Sequence, residues 1–195
     1  YNACKIVYVV QQPGVAGRGP GGVGGRPGGG GRRGGAGRGS GGGGGIKLNG
    51  DDKVVSMSII RHFDASSEER TAYLKMRRAM AGLADDAEGD EDEAPADPNF
   101  SQERYAEMSA AENLLLTITE KGAGKLSSSH DYPVRGRGGL GVTAMDKAMR
   151  GGDIVASFPV EMDDQIMLAT SKGQSIRVPV EGISFRSRSA GGVKV

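Results

Sequence analysis

Apolar and polar positions fall into short runs along most of this chain. Ile6–Val10, Val54–Ile59, Leu114–Thr119, Leu126–Val134, Gly141–Met145, Ile154–Val160, Gln165–Thr170, Ser175–Val180 and Gly192–Val195 read as strands or extended stretches. Their length, their content of Val, Ile and Leu and the turn residues between them predict β structure. Asn49-Gly50-Asp51-Asp52 and Glu120–Gly124 are such turns. One region breaks the pattern. Tyr73, Met76, Met80 and Leu83 recur three or four residues apart, which predicts a helix over 64–83. Ser66 followed by Glu69 has the spacing of a capping box. A second helix is predicted over 102–112, with Ser101 as its N-cap and Phe100 and Tyr105 placed for a hydrophobic staple. Asp85–Pro98, which contains Gly89 and Pro95, reads as a solvated linker.

The strands carry an internal repeat of 51 residues. Thr119-Glu120-Lys121-Gly122 matches Thr170-Ser171-Lys172-Gly173, and Leu115-Leu116 matches Ile166-Met167. Arg135 and Arg137 match Arg186 and Arg188, and Gly141-Val142 matches Gly192-Val193, with no gap. A period of 40–50 residues in β structure predicts blades of a propeller-like array. A third, partial copy lies upstream: Val54-Val55 matches Ile154-Val155, and Arg38, Gly42 and Gly45-Ile46 fall where the Arg137–Gly141 loop belongs. No strand preceding this copy is recognised. The helical stretch then interrupts one blade, so the expected organisation is a Gly/Arg-rich disordered N-terminus over 1–45, a partial blade over 46–60, an insertion over 61–112, a blade over 113–160 and a truncated blade over 161–195.

Composition sharpens this picture. Of 35 glycines, 20 lie in residues 1–45, among six basic and no acidic residues. Such a stretch has almost nothing to bury against the entropy of ordering it. The net charge of +1 conceals an insertion that carries fourteen acidic and six basic residues over 61–112. Trp is absent, so the core must be built from Val, Ile, Leu and Met. The single cysteine, Cys4, excludes an internal disulfide and a cysteine metal cage. No apolar run approaches the ~18 residues of a membrane span. The ends at Tyr1 and Val195 read as those of a fragment of a longer protein.

Together these motifs resemble the C-terminal domain of the DNA gyrase A protein. The resemblance rests on Thr119–Gly122, Arg137–Val142 and Gly152-Asp153-Ile154-Val155, then on Asp164–Leu168, Thr170–Gly173, Ile176–Val180 and Arg188–Val193. It covers residues 46–195; residues 1–44 match none of the family's motifs. Two features depart from the family. Ala123-Gly124-Lys125-Leu126 stands where Tyr-Gly-Lys-Arg is frequent, and the Gln-Arg-Arg-Gly-Gly-Lys-Gly box is missing, Arg135–Gly141 being similar in shape only. The resemblance implies an all-β, partial β-pinwheel with a helical acidic insertion, whose role is to bind and wrap duplex DNA in support of ATP-dependent negative supercoiling. It implies a cytoplasmic, nucleoid-associated protein whose partners are the gyrase B protein and a second gyrase A protein. No catalytic residue, cofactor or metal is expected in this chain; ATP and Mg²⁺ are used elsewhere in the resembled enzyme. The C-terminal module of topoisomerase IV, a propeller-like protein-interaction module and an RGG-tailed RNA-binding protein are the rival readings.

Arg135, Arg137, Arg186 and Arg188 recur on one loop of two repeats, and such a basic rim suits the regular charge of a DNA backbone. Lys121, Lys125, Lys172 and Arg177 are secondary candidates. Against each stands the plain reading of a solvated surface cation. His62 and His130 are the only histidines; His130-Asp131 has no nucleophile beside it in the pattern and reads as a surface or turn pair. Asp90–Glu93 lacks metal-ligand spacing. Gly17–Gly22 imitates a dinucleotide fingerprint but lies in low complexity, and Gly122–Lys125 lacks the rest of a phosphate loop.

Overall fold

A computed structural model describes residues 4–11, 46, 48, 52–82, 96–135, 141–146 and 152–195, with 4–11 described as backbone. The predicted glycine-rich tract from residue 12 to 45, Leu83 and most of the acidic linker lie outside the described residues.

Two hairpins form the framework. Strands β3 (Leu114–Thr119) and β4 (Ala123–Ser128) pair antiparallel, and so do β6 (Gln165–Ala169) and β7 (Ser175–Pro179). Their registers coincide at the 51-residue offset: Leu114 opposes Ser128 as Gln165 opposes Pro179, and Ile118 opposes Gly124 as Ala169 opposes Ser175. The turns coincide as well. Gly122 N donates to Thr119 O at 3.0 Å, and Gly173 N to Thr170 O at 3.0 Å. Thr119 Oγ1 accepts from Ala123 N at 3.2 Å, and Thr170 Oγ1 accepts from Gln174 N at 3.2 Å. Gly122 and Gly173 both have φ +80°, a backbone region that disfavours any residue with a Cβ. Each hairpin runs into a 3-10 turn, Ser129–Asp131 and Val180–Gly182. The second expected extended stretch therefore stops at Ser128 rather than Val134, because the Ser128 side chain accepts from His130 N and starts the turn.

The first blade has four strands in the order β5-β3-β4-β8, with β5 over Ile154–Val160 and β8 over Val193–Lys194. Its last strand thus comes from beyond the next hairpin, so the blade is not the contiguous stretch 113–160. Gly141–Met145, expected as a strand, is a loop; its counterpart Val193–Lys194 has β4 to pair with, and no described strand pairs with 141–145.

The largest change to the sequence reading is upstream. Strand β1 (Cys4–Gln11) pairs with β2 (Lys53–Arg61) in the register that β3 adopts with β5. Lys5 opposes Ile60 as Leu114 opposes Val160, and Val9 opposes Ser56 as Ile118 opposes Ala156. Both ladders then skip one residue, Val55 in β2 and Val155 in β5, before Val10 meets Val54 and Thr119 meets Ile154. A bulge at the same step of both ladders makes β1 the structural copy of β3. The strand expected at Ile6–Val10 is present, and it is the strand that the repeat reading leaves missing before the upstream copy.

Interblade packing makes the core. Leu114, Leu116, Ile118 and Leu126 of the first hairpin close on Ile166, Val180 and Ile183 of the second. On the opposite face Leu115 packs with Ile60 and Tyr132, and Ser56 Oγ reaches Ser157 O of β5 at 2.9 Å. A side chain such as Leu116, fully buried, contributes roughly 1.5–3 kcal/mol.

The insertion between β2 and β3 holds helices α1 (Ser67–Met80) and α2 (Gln102–Ala111). Ser66 makes the full capping box with Glu69, and Ser101 Oγ caps α2 through Arg104 N. Tyr73, Leu74 and Met108 form its small core, with Phe100 and Tyr105 against them. Tyr73 and Tyr105 stack at 5.0 Å. Of the described positions of the predicted stripe, Tyr73 is buried, Met76 half-buried and Met80 exposed.

Candidate nucleic-acid interface

Lys121 and Lys172 occupy the same place at the tips of the two congruent hairpins. Both are exposed, and each immediately precedes the positive-φ glycine that closes its turn. Arg135, a few residues beyond the first 3-10 turn, is also exposed. These three cations are exposed to solvent, the two lysines at the hairpin tips and Arg135 beyond the opposite end of β4. Arg137 lies outside the described residues.

The other candidates have different surroundings. Lys125 is fully buried, and its Nζ donates to the carbonyls of Ser187 at 2.9 Å, Arg188 at 2.5 Å and Ala190 at 2.5 Å. It holds the 187–190 loop onto β4, and the expectation that it faces DNA is corrected: an ammonium at this depth reaches no phosphate. Arg188 is largely buried too. Its backbone N donates to Asp131 Oδ2 at 2.7 Å and its Nε to Asp131 O at 3.0 Å, while Nη1 meets Thr143 O. Nε also stands 3.8 Å from Asp131 Oδ1. Its guanidinium joins three loops, which corrects its assignment to an open rim. Arg186 is half-buried and its backbone N donates to Leu126 O at 2.8 Å, so this segment lies along β4 as an edge. Arg177 is exposed, but its repeat counterpart is Leu126, which is buried between blades. Arg177 therefore projects from a blade face and not from the rim.

The turn Ser129–Asp131 is a junction. His130 is buried, which corrects its surface reading and keeps its turn placement. His130 Nε2 donates to Met108 O of α2 at 2.8 Å, and its ring meets Tyr73 edge-on at 5.0 Å. Asp131, next in sequence, takes Arg188 from the other side. Arg77 of α1 reaches the segment that leads to Arg188, with its guanidinium 4.7 Å over the Phe185 ring, and its Nε lies 3.3 Å from Glu112. Burial pushes the Tyr132 hydroxyl up to about 12, partly offset by its 3.0 Å hydrogen bond with Ser127 Oγ. Burial and the nearby Glu112 carboxylate raise Tyr73 as well.

Two congruent hairpins, the first completed by a strand from beyond the second and each carrying an exposed lysine at its tip, define a β-blade array. The family profile of the DNA gyrase C-terminal domain, beta-propeller, matches residues 35–61, 113–158 and 164–195, leaving out the helical insertion. The chain belongs to this family. The match begins at residue 35, inside the segment that carries no recognised motif. The DNA gyrase A protein of Granulibacter bethesdensis is 45% identical over 160 residues, covering 76% of this chain and 17% of that protein. The DNA gyrase A protein of Rickettsia bellii is 37% identical over 150 residues, covering 76% of this chain and 16% of its own length. The chain thus spans about one sixth of the curated relatives it matches. A solved DNA gyrase A C-terminal domain aligns with a TM-score of 0.43 at 20% identity, over 77% of this chain and 52% of that one. No helix among the described residues is long and apolar enough to cross a membrane.

Proposed function

We propose that this chain is a DNA-binding and DNA-wrapping module of a type II topoisomerase, the A protein of DNA gyrase, and that it supports ATP-dependent negative supercoiling by the assembled enzyme. The observation that carries the reading is the placement of Lys121 and Lys172 on congruent turns of successive blades in a chain of this family. Cations repeated at the blade period suit a ligand whose charges repeat along its axis, which is duplex DNA read through its backbone. The exposed Arg135, beyond the first 3-10 turn, is a further candidate contact. Bending a short site costs about 1–6 kcal/mol, and phosphate contacts at successive blades offset it. Strand breakage and ATP hydrolysis belong to other parts of the enzyme, with the gyrase B protein and a second gyrase A protein as partners, in the cytoplasm at the nucleoid. The test is duplex affinity measured against salt. Lys121→Ala with Lys172→Ala is expected to make the slope of log K on log salt shallower by about 2. An unchanged slope and affinity contradict the reading.

A further inference from the structure

The insertion meets the blade around a cavity of about 230 Å³. Arg61 and His62, where β2 hands over to the insertion, line it with Arg70 of α1 and with Ser129 and His130 of the 3-10 turn. Among the described residues that line it, Asp64 is the one carboxylate. The other described arginines of the insertion are committed: Arg77 to Glu112, Arg78 to the Leu74 carbonyl, and Arg104 to Glu69, Glu107 and the Asp64 carbonyl. The guanidinium groups of Arg61 and Arg70 form no salt bridge with a described residue. Val134 also lines the cavity, and the exposed Arg135 follows it in the chain.

We propose that this cavity, whose lining ends one residue before the exposed Arg135, is a phosphate-binding subsite that takes a backbone phosphate of the bound duplex. Guanidinium groups present paired N–H donors that match phosphate oxygens, and among the described lining residues two of them face one carboxylate, Asp64, with Glu68 of α1 also near Arg70. The insertion, acidic as a whole, then adds a DNA contact at its base. The assignment of the phosphate to DNA rests on the function proposed above; the cavity's chemistry does not.

The test uses the full chain with a short duplex and, separately, inorganic phosphate. Arg61→Ala with Arg70→Ala is expected to lower duplex affinity at least about fivefold at moderate salt and to make the salt slope shallower by about 1, with Arg61→Lys and Arg70→Lys restoring the slope. A double alanine variant that binds with unchanged affinity and slope overturns the proposal. A second readout needs no variant. The arginine Nε–Hε resonances of Arg61 and Arg70 in the wild-type chain are expected to shift with duplex and, more weakly, with inorganic phosphate. Shifts with phosphate alone overturn the DNA assignment, and shifts with neither overturn the site. If the wild-type chain binds no duplex, the function proposed above fails, and the phosphate titration still decides the cavity.

Discussion

Lys125 Nζ lies 2.9 Å from the carbonyl oxygen of Ser187, a residue 62 positions further along the chain. With the Arg188 and Ala190 carbonyls it makes an interior clamp, so Lys125 and its neighbour in sequence Lys121 have opposite roles. Lys125→Met strands three carbonyls and is expected to cost about 1–3 kcal/mol while leaving the DNA salt slope unchanged. Lys121→Met is expected to leave stability within about 0.5 kcal/mol and to make the slope shallower by about 1. Urea unfolding and salt-dependent binding on both variants check the pair, and a reversed pattern contradicts it.

Equivalent turns should have equivalent energetics. Gly122 and Gly173 share φ +80°, and a Cβ at either meets nothing within 4 Å. Gly122→Ala and Gly173→Ala are therefore each expected to cost roughly 1–2 kcal/mol, from backbone strain alone. Gly192→Ala differs, because its Cβ would sit 3.0 Å from Gly124 N and push the chain just before β8 off the blade edge. Thermal unfolding of the three variants separates the cases.

His130 is expected to hold the insertion to the blade. His130→Ala removes its bond to Met108 O and its contact with Tyr73. Hydrogen exchange is expected to lose protection over Ser67–Met80 and Gln102–Ala111, while Leu114–Thr119 keeps its own. Uniform loss across both regions would falsify this anchoring role.

The sequence reads the local features well and the distant ones poorly. Both helix caps were legible because Ser66 reaches Glu69 and Ser101 reaches Arg104 within one turn. The Thr-x-Lys-Gly turns were legible because their bonds close over three or four residues. Lys125 was misplaced because the loop that buries it lies more than sixty residues away, and Arg188 because its partner Asp131 is 57 positions distant. Strand β1 carries none of the motif letters, yet a signal was available. Val54-Val55 copies Ile154-Val155, and a copy of β5 requires a copy of β3 to pair with, which Ile6–Val10 supplies. The gathering of Arg61 and Arg70 with Ser129 and Val134 around one cavity depends on how the insertion docks, and no spacing encodes it.

Alkaline pH should weaken the fold through Tyr132. Its folded value of about 12 lies above the unfolded phenol near 10, so its neutral form is favoured by folding. That contribution is fully present below about pH 10 and is lost as pH rises through about 12. Tyr73, raised by burial and by Glu112, acts in the same direction. Tyrosinate absorbance is expected to show these phenols ionising late and together with loss of structure. Ionisation of both near pH 10 in the folded protein contradicts the burial described.

Wrapping itself is tested most directly by the end-to-end distance of a duplex of about 30 base pairs, labelled at both ends for energy transfer. Saturating wild-type chain is expected to shorten that distance. The variant with Lys121, Lys172 and Arg135 all changed to Ala is expected to leave it near the free value at the same occupancy. A wild-type chain that binds the duplex without shortening it, or a triple variant that shortens it equally, contradicts the account.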